Sequence, residues 1–112
     1  MLSFPSTKRV FVAAEPCDMR KQFDGLAALA RDGLGGDPRS GDLFVFRNRR
    51  GDMLKMLFHD TQGLCLLAKR LDRGQFAWLD AKGASRIEVG PTQLAQLLSG
   101  VRVSVQRARE AA

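Results

Sequence analysis

The stretch DLFVFRNRRGDMLKMLF, residues 42–58, decides the fold. Its two ends, "DLFVF" (42–46) and "MLKMLF" (53–58), are short apolar runs rich in strand-forming residues. Between them stands Asn48-Arg49-Arg50-Gly51, with Asn first and Gly fourth as a type I turn prefers. The two runs are therefore expected to fold back on each other as a β-hairpin. Arg50-Gly51-Asp52 reads as the tip of that hairpin, although the same tripeptide is what cell-surface integrins recognise.

Downstream, Asp60-Thr61-Gln62-Gly63 signals a second turn, "LCLLAKRL" (64–71) a further strand, Asp72-Arg73-Gly74 a third turn, and "QFAW" (75–78) one more strand. Turn glycines at 51, 63 and 74 predict an antiparallel meander. Alternate turns of a meander lie at the same end of the sheet. That parity places Arg49, Arg50 and Arg73 together, with Lys69 and Arg70 close behind, as one basic rim. The turn carrying His59 and Asp60 goes to the far end. Exposed arginines at turns also serve solubility alone, so a solvated hairpin tip stands beside the rim as a second reading.

Upstream, "RVFVAA" (9–14) is an apolar run suited to a buried strand. Asp18 is a good helix N-cap, and Met19, Phe23, Leu26, Ala27 and Ala30 then recur at spacings of three and four. The spacing predicts an amphipathic helix of about 15 residues from Asp18, ended by the glycines at 33–36. Near the carboxy terminus "SRIEV" (85–89) reads as a strand, and Pro91 opens a short helix with Leu94, Leu97, Leu98 and Val101 on one face. The expected class is α+β: an antiparallel β-meander sheet joined by an amino-terminal strand, with an N-terminal amphipathic helix and a short C-terminal helix covering one face. Its core is expected to hold Phe23, Leu26, Phe44, Phe46, Leu54, Phe58, Cys65, Leu67, Phe76, Leu94, Leu97 and Leu98. Residues 1–101 form the expected single domain, and 102–112, with three arginines, a basic flexible tail.

Composition bounds function. A chain of 112 residues, 45% of them hydrophobic, supports one domain. Thirteen Arg and five Lys against twelve Asp and Glu give a net charge of +6, which favours a polyanionic partner. "MLSFPSTKRVFVAAE" lacks the apolar centre of a signal peptide, and no apolar run approaches a membrane span, so a cytoplasmic address without membrane contact is expected. Cys17 and Cys65 have no metal spacing and read as reduced, structural thiols. One histidine, no tyrosine, and no phosphate-cradling or nucleophile motif leave catalysis without a candidate. His59-Asp60 is the one acid–base pair to weigh, and it reads as a turn aspartate beside a half-exposed histidine. Asp18, Asp24, Asp42, Asp52 and Asp60 do not make a metal set, since Asp18 reads as a cap and Asp60 as a turn starter. No enzyme activity, cofactor or metal is expected.

"DMRKQFDGLAALA" (18–30), "DPRSGDLFVFRNRRGDMLKML" (37–57), "GLCLLAKRLDRGQFAW" (63–78) and "PTQLAQLLSG" (91–100), in that order and at that spacing, resemble the TnpB-type accessory protein encoded by the second open reading frame of bacterial insertion sequences of the sixty-six family. The resemblance spans about Val10 to Val101. His59 replaces an expected aromatic residue and Leu79 an expected proline. Neither departure touches the rim arginines. The resemblance implies a role in DNA transposition as partner of a separately encoded transposase, and supplies no catalytic residues. Two mechanisms stay open. Either the rim of Arg49, Arg50, Arg73, Lys69 and Arg70 contacts DNA phosphates, or the domain binds the transposase or a co-encoded partner without touching DNA. An open edge strand would also let two copies pair.

Overall fold

A computed structural model of the chain describes residues 8–99. Five strands form one sheet in the order β4-β3-β2-β1-β5, with β1 at Val10–Ala13, β2 at Leu43–Arg47, β3 at Met53–His59, β4 at Leu64–Arg70 and β5 at Arg86–Val89. The opening hairpin is β2–β3, in which Arg47 pairs with Leu54 and Phe44 with Leu57. β4 continues the meander, with Met53 opposite Arg70 and His59 opposite Leu64.

The antiparallel meander accounts for only part of the sheet, which is mixed. β1 runs parallel to β2, Val10 opposite Leu43, and antiparallel to β5. Parallel neighbours need a long crossover. Residues 14–42, including the first helix, supply it. β1 lies between two other strands and is buried on both faces, which is why "VFVA" is apolar throughout instead of alternating.

Helix α1 spans Phe23–Ala28 and continues as one wider turn, Leu29–Gly33, closed by the amide of Leu34 donating to the carbonyl of Leu29. The expected start at Asp18 is corrected. Asp18 accepts from the backbone of Arg20 at 2.8 Å and so organises a local turn, which competes with helix at that point. Phe23 consequently sits in the first helical turn, 45% exposed, and is not a core residue.

The two helices also lie on opposite faces of the sheet instead of sharing one. α1 buries Leu26 and Ala30 against Phe11, Phe44, Phe46 and Leu57. Helix α2, Pro91–Ser99, buries Leu97 against Val12, Val45, Leu54, Met56, Phe58 and Phe76. Strand parity is the physical reason: Phe44 and Phe46 point one way, Leu43 and Val45 the other, so both faces of the central strands are apolar and each needs a cover. Leu67, the other misplaced core residue, is 36% exposed on the outer strand. Cys17 packs against the α1 side and Cys65 against the α2 side, and both thiols are free.

"QFAW" forms no strand. After β4 the chain straps across the end of the sheet: the amide of Leu71 donates to the carbonyl of Asp52, that of Phe76 to Gly51, and the indole of Trp78 to Ala13. The strap carries the chain from one edge of the sheet to β5 at the other. The tail, residues 102–112, lies outside the described residues.

Candidate nucleic-acid interface

The tip of the β2–β3 hairpin is organised by one side chain. Asn48 accepts with its Oδ1 from the amides of Gly51 (2.9 Å) and Met53 (3.1 Å), and its Nδ2 donates to Asp52 at 2.7 Å. That donation holds the Asp52 carboxyl below its ordinary pKa. Gly51 adopts a φ of 78°, the left-handed region that favours glycine. The strap clamps the tip from behind, with the Gln75 amide donating to the Arg50 carbonyl at 2.7 Å. Arg49 and Arg50 therefore project from a fixed turn, both exposed.

Arg73 comes to this same end. It lines a hollow of about 240 Å³ together with Arg50, Asp52 and Gln75. The route differs from the expected third hairpin: Arg73 belongs to the strap, but the end of β4 lies at the tip in either case. Arg70, the last residue of β4, is close enough for its charge to act on Asp52. Lys69 faces the opposite way and donates to the carbonyl of Leu98 at 3.0 Å, neutralising the carboxy-terminal end of α2. The tip thus gathers Arg49, Arg50, Arg70 and Arg73, while Lys69 is committed to the helix.

Several residues of this end were not singled out from the sequence. Arg47 closes β2 and lies over the Trp78 ring at 5.3 Å, donating to the carbonyl of Ala14. Its Nε is buried without a hydrogen-bond partner among the described residues. Arg47, Arg49, Arg50, Gln75 and Trp78 line a second hollow of about 220 Å³. Arg49 also borders a third, with Pro16, Cys17 and Asp18. Arg47 at the end of a strand, two residues before Arg49 in the turn, was a visible signal. Trp78 was not, because the crossing strap that delivers it leaves no periodicity.

At the far end, His59 accepts from the Thr61 amide at 3.4 Å, and Asp60 accepts from the amides of Gln62 and Gly63. Those amides hold the Asp60 carboxyl below its ordinary pKa. The pair shapes a turn. No group of three or more His, Cys, Asp or Glu among the described residues is arranged to hold a metal, and no described helix is long and apolar enough to cross a membrane.

A mixed five-stranded sheet, one helix on each face and a clamped arginine tip define a small basic α+β domain. The chain belongs to the family described as IS66 Orf2-like protein (TnpB_IS66), whose model matches residues 8–108. It is 46% identical over 101 residues to "Uncharacterized protein y4hO" of Sinorhizobium fredii (strain NBRC 101917 / NGR234), covering 90% of this chain and 87% of the relative. "Uncharacterized protein y4jC" of the same strain is 36% identical over 93 residues, 83% of this chain and 79% of its own. No solved structure matches the chain. Family membership associates the chain with transposition of insertion sequences.

Proposed function

We propose that this protein is a non-catalytic accessory of transposition that holds DNA through the phosphates contacted by its hairpin tip, alongside the element's separately encoded transposase. The observation that supports this reading is the gathering of Arg49, Arg50, Arg70 and Arg73 on one rigid end of the sheet. Among the described residues no salt bridge engages Arg49, Arg70 or Arg73, and the one at Arg50 spans 4.0 Å to Asp52. Guanidinium groups match phosphate geometry, and each phosphate neutralised releases counterions. Three to four such contacts give a log–log salt slope of about −3 to −4. Titrating duplex DNA at rising salt tests the reading, and absence of duplex binding at low salt would refute it.

A second reading rests on the outer edge of β4, which pairs with no strand among the described residues and carries the half-exposed Leu67. Such an edge can accept a strand from a protein partner, here the transposase. Co-purification with the transposase that survives nuclease treatment would favour this second reading. Loss on nuclease treatment would favour the first.

A further inference from the structure

We infer that the hollow behind the hairpin tip takes one unpaired base of a single DNA strand, with the flanking phosphates on Arg49 and Arg50. The inference rests on the DNA reading of the tip and names the form of DNA that the tip accepts. The hollow is lined by three arginines, Arg47, Arg49 and Arg50, and by Trp78. Among the described residues no carboxylate lines it, whereas Asp52 and Asp72 line the neighbouring hollow with Arg50 and Arg73. A site that combines cations with an aromatic ring and excludes acids suits a ligand that is both anionic and planar.

Size narrows the ligand further. At about 220 Å³ the hollow falls below the roughly 300 Å³ at which sites for drug-sized ligands begin, so it suits one ring system and not an extended cofactor. Bases stack on aromatic rings and on arginine planes, with little dependence on sequence. Arg47 already lies over Trp78, so ring and guanidinium are held in place before any ligand arrives. Arg50 borders both hollows, and so continues a phosphate track from Arg49 towards Arg73. Bases inside a duplex keep their faces stacked on one another and must be extruded at a cost, so an unpaired strand is the natural occupant.

Trp78 is the one tryptophan of the chain, and there is no tyrosine, so intrinsic fluorescence reports that ring directly. The full-length protein is titrated with a short oligothymidylate, with an abasic strand of the same length, and with a blunt duplex. The oligothymidylate should quench Trp78 saturably and bind at least about tenfold tighter than the abasic strand, the size expected for one stacked base. Arg47→Lys, which keeps the charge but loses the plane, should lower oligothymidylate affinity by a larger factor than it lowers duplex affinity. Unchanged fluorescence with oligothymidylate, or equal affinity for the abasic strand, overturns the inference while duplex binding leaves the phosphate contact intact. Failure of all three ligands to bind overturns both. The parent titration needs no variant, so a folding defect in Arg47→Lys cannot shield the inference.

Discussion

Removing the Asn48 side chain tests whether the tip is organised as described. Asn48→Ala abolishes the two bonds accepted by Oδ1 and the one donated by Nδ2. Gly51 keeps a second acceptor, the Asn48 carbonyl at 3.2 Å, whereas the Met53 amide loses the acceptor that the side chain gave it. An orphaned half-buried donor costs about 1–2 kcal/mol and each of the other two bonds about 0.5 kcal/mol, for a total of roughly 2–3 kcal/mol. In a domain of this size about 1 kcal/mol moves Tm by roughly 4–8 °C, so the variant should melt at least about 8 °C below the parent by circular dichroism. Asn48→Asp is the control. It keeps the acceptor but sets a carboxylate against Asp52, where the amide donates at 2.7 Å. Two adjacent carboxylates raise the folded-state pKa of one of them, so the penalty is full at neutral pH and lifts as pH falls through that raised value. The gap to the parent should narrow on acidification towards pH ~5. A Tm within about 2 °C of the parent for Asn48→Ala would refute the role given to this residue.

Phe44, fully buried between α1 and the sheet, should cost about 3–5 kcal/mol when truncated to alanine, whereas Phe23→Ala should cost less than about 1 kcal/mol because the ring is 45% exposed; chemical denaturation compares the two, and equal losses would contradict the placement of α1. Thr61 adopts a φ of 94°, unfavourable for a β-branched residue, so Thr61→Gly should raise stability by about 0.5–1 kcal/mol, and a loss of stability would contradict that turn geometry. The Asp18 carboxyl is held at about 2 by hydrogen bonds from Arg20, and Asp60 and Glu88 are also depressed. Depressed carboxyls contribute stability that is complete above the ordinary carboxylate range and is lost as pH falls towards 2, so Tm should be flat from neutral pH down to about 5 and then decline; a Tm constant down to pH ~2 would contradict those bonds.

The hairpin was legible because its information is local. Asn48 and Gly51 satisfy the turn's own hydrogen-bond and φ requirements, and the flanking runs pair at once. The end of the sheet at which Arg73 lies was legible for a topological reason, since the end of β4 falls beside the β2–β3 tip whether or not a further strand follows. Where contacts cross long stretches of chain, local pattern was silent. The parallel pairing of Val10 with Leu43 leaves no mark in either segment beyond their apolar character. Asp18 looks like a cap, and its carboxylate does bind a backbone amide, but it closes a turn and the helix begins five residues later. Turn parity placed Lys69 beside Arg70 at the rim without revealing that its amine reaches Leu98 of α2.

The measurement closest to the central claim is the salt dependence of duplex binding for the parent and for the double variant Arg49→Glu with Arg50→Glu. Both side chains are exposed, so the variant should melt within a few degrees of the parent. The parent's slope of log affinity against log salt should be about −3 to −4, and the variant's should be shallower by about 2, one phosphate for each lost arginine. A variant that stays folded and binds duplex DNA with the parent's slope would place the DNA contact somewhere other than the hairpin tip.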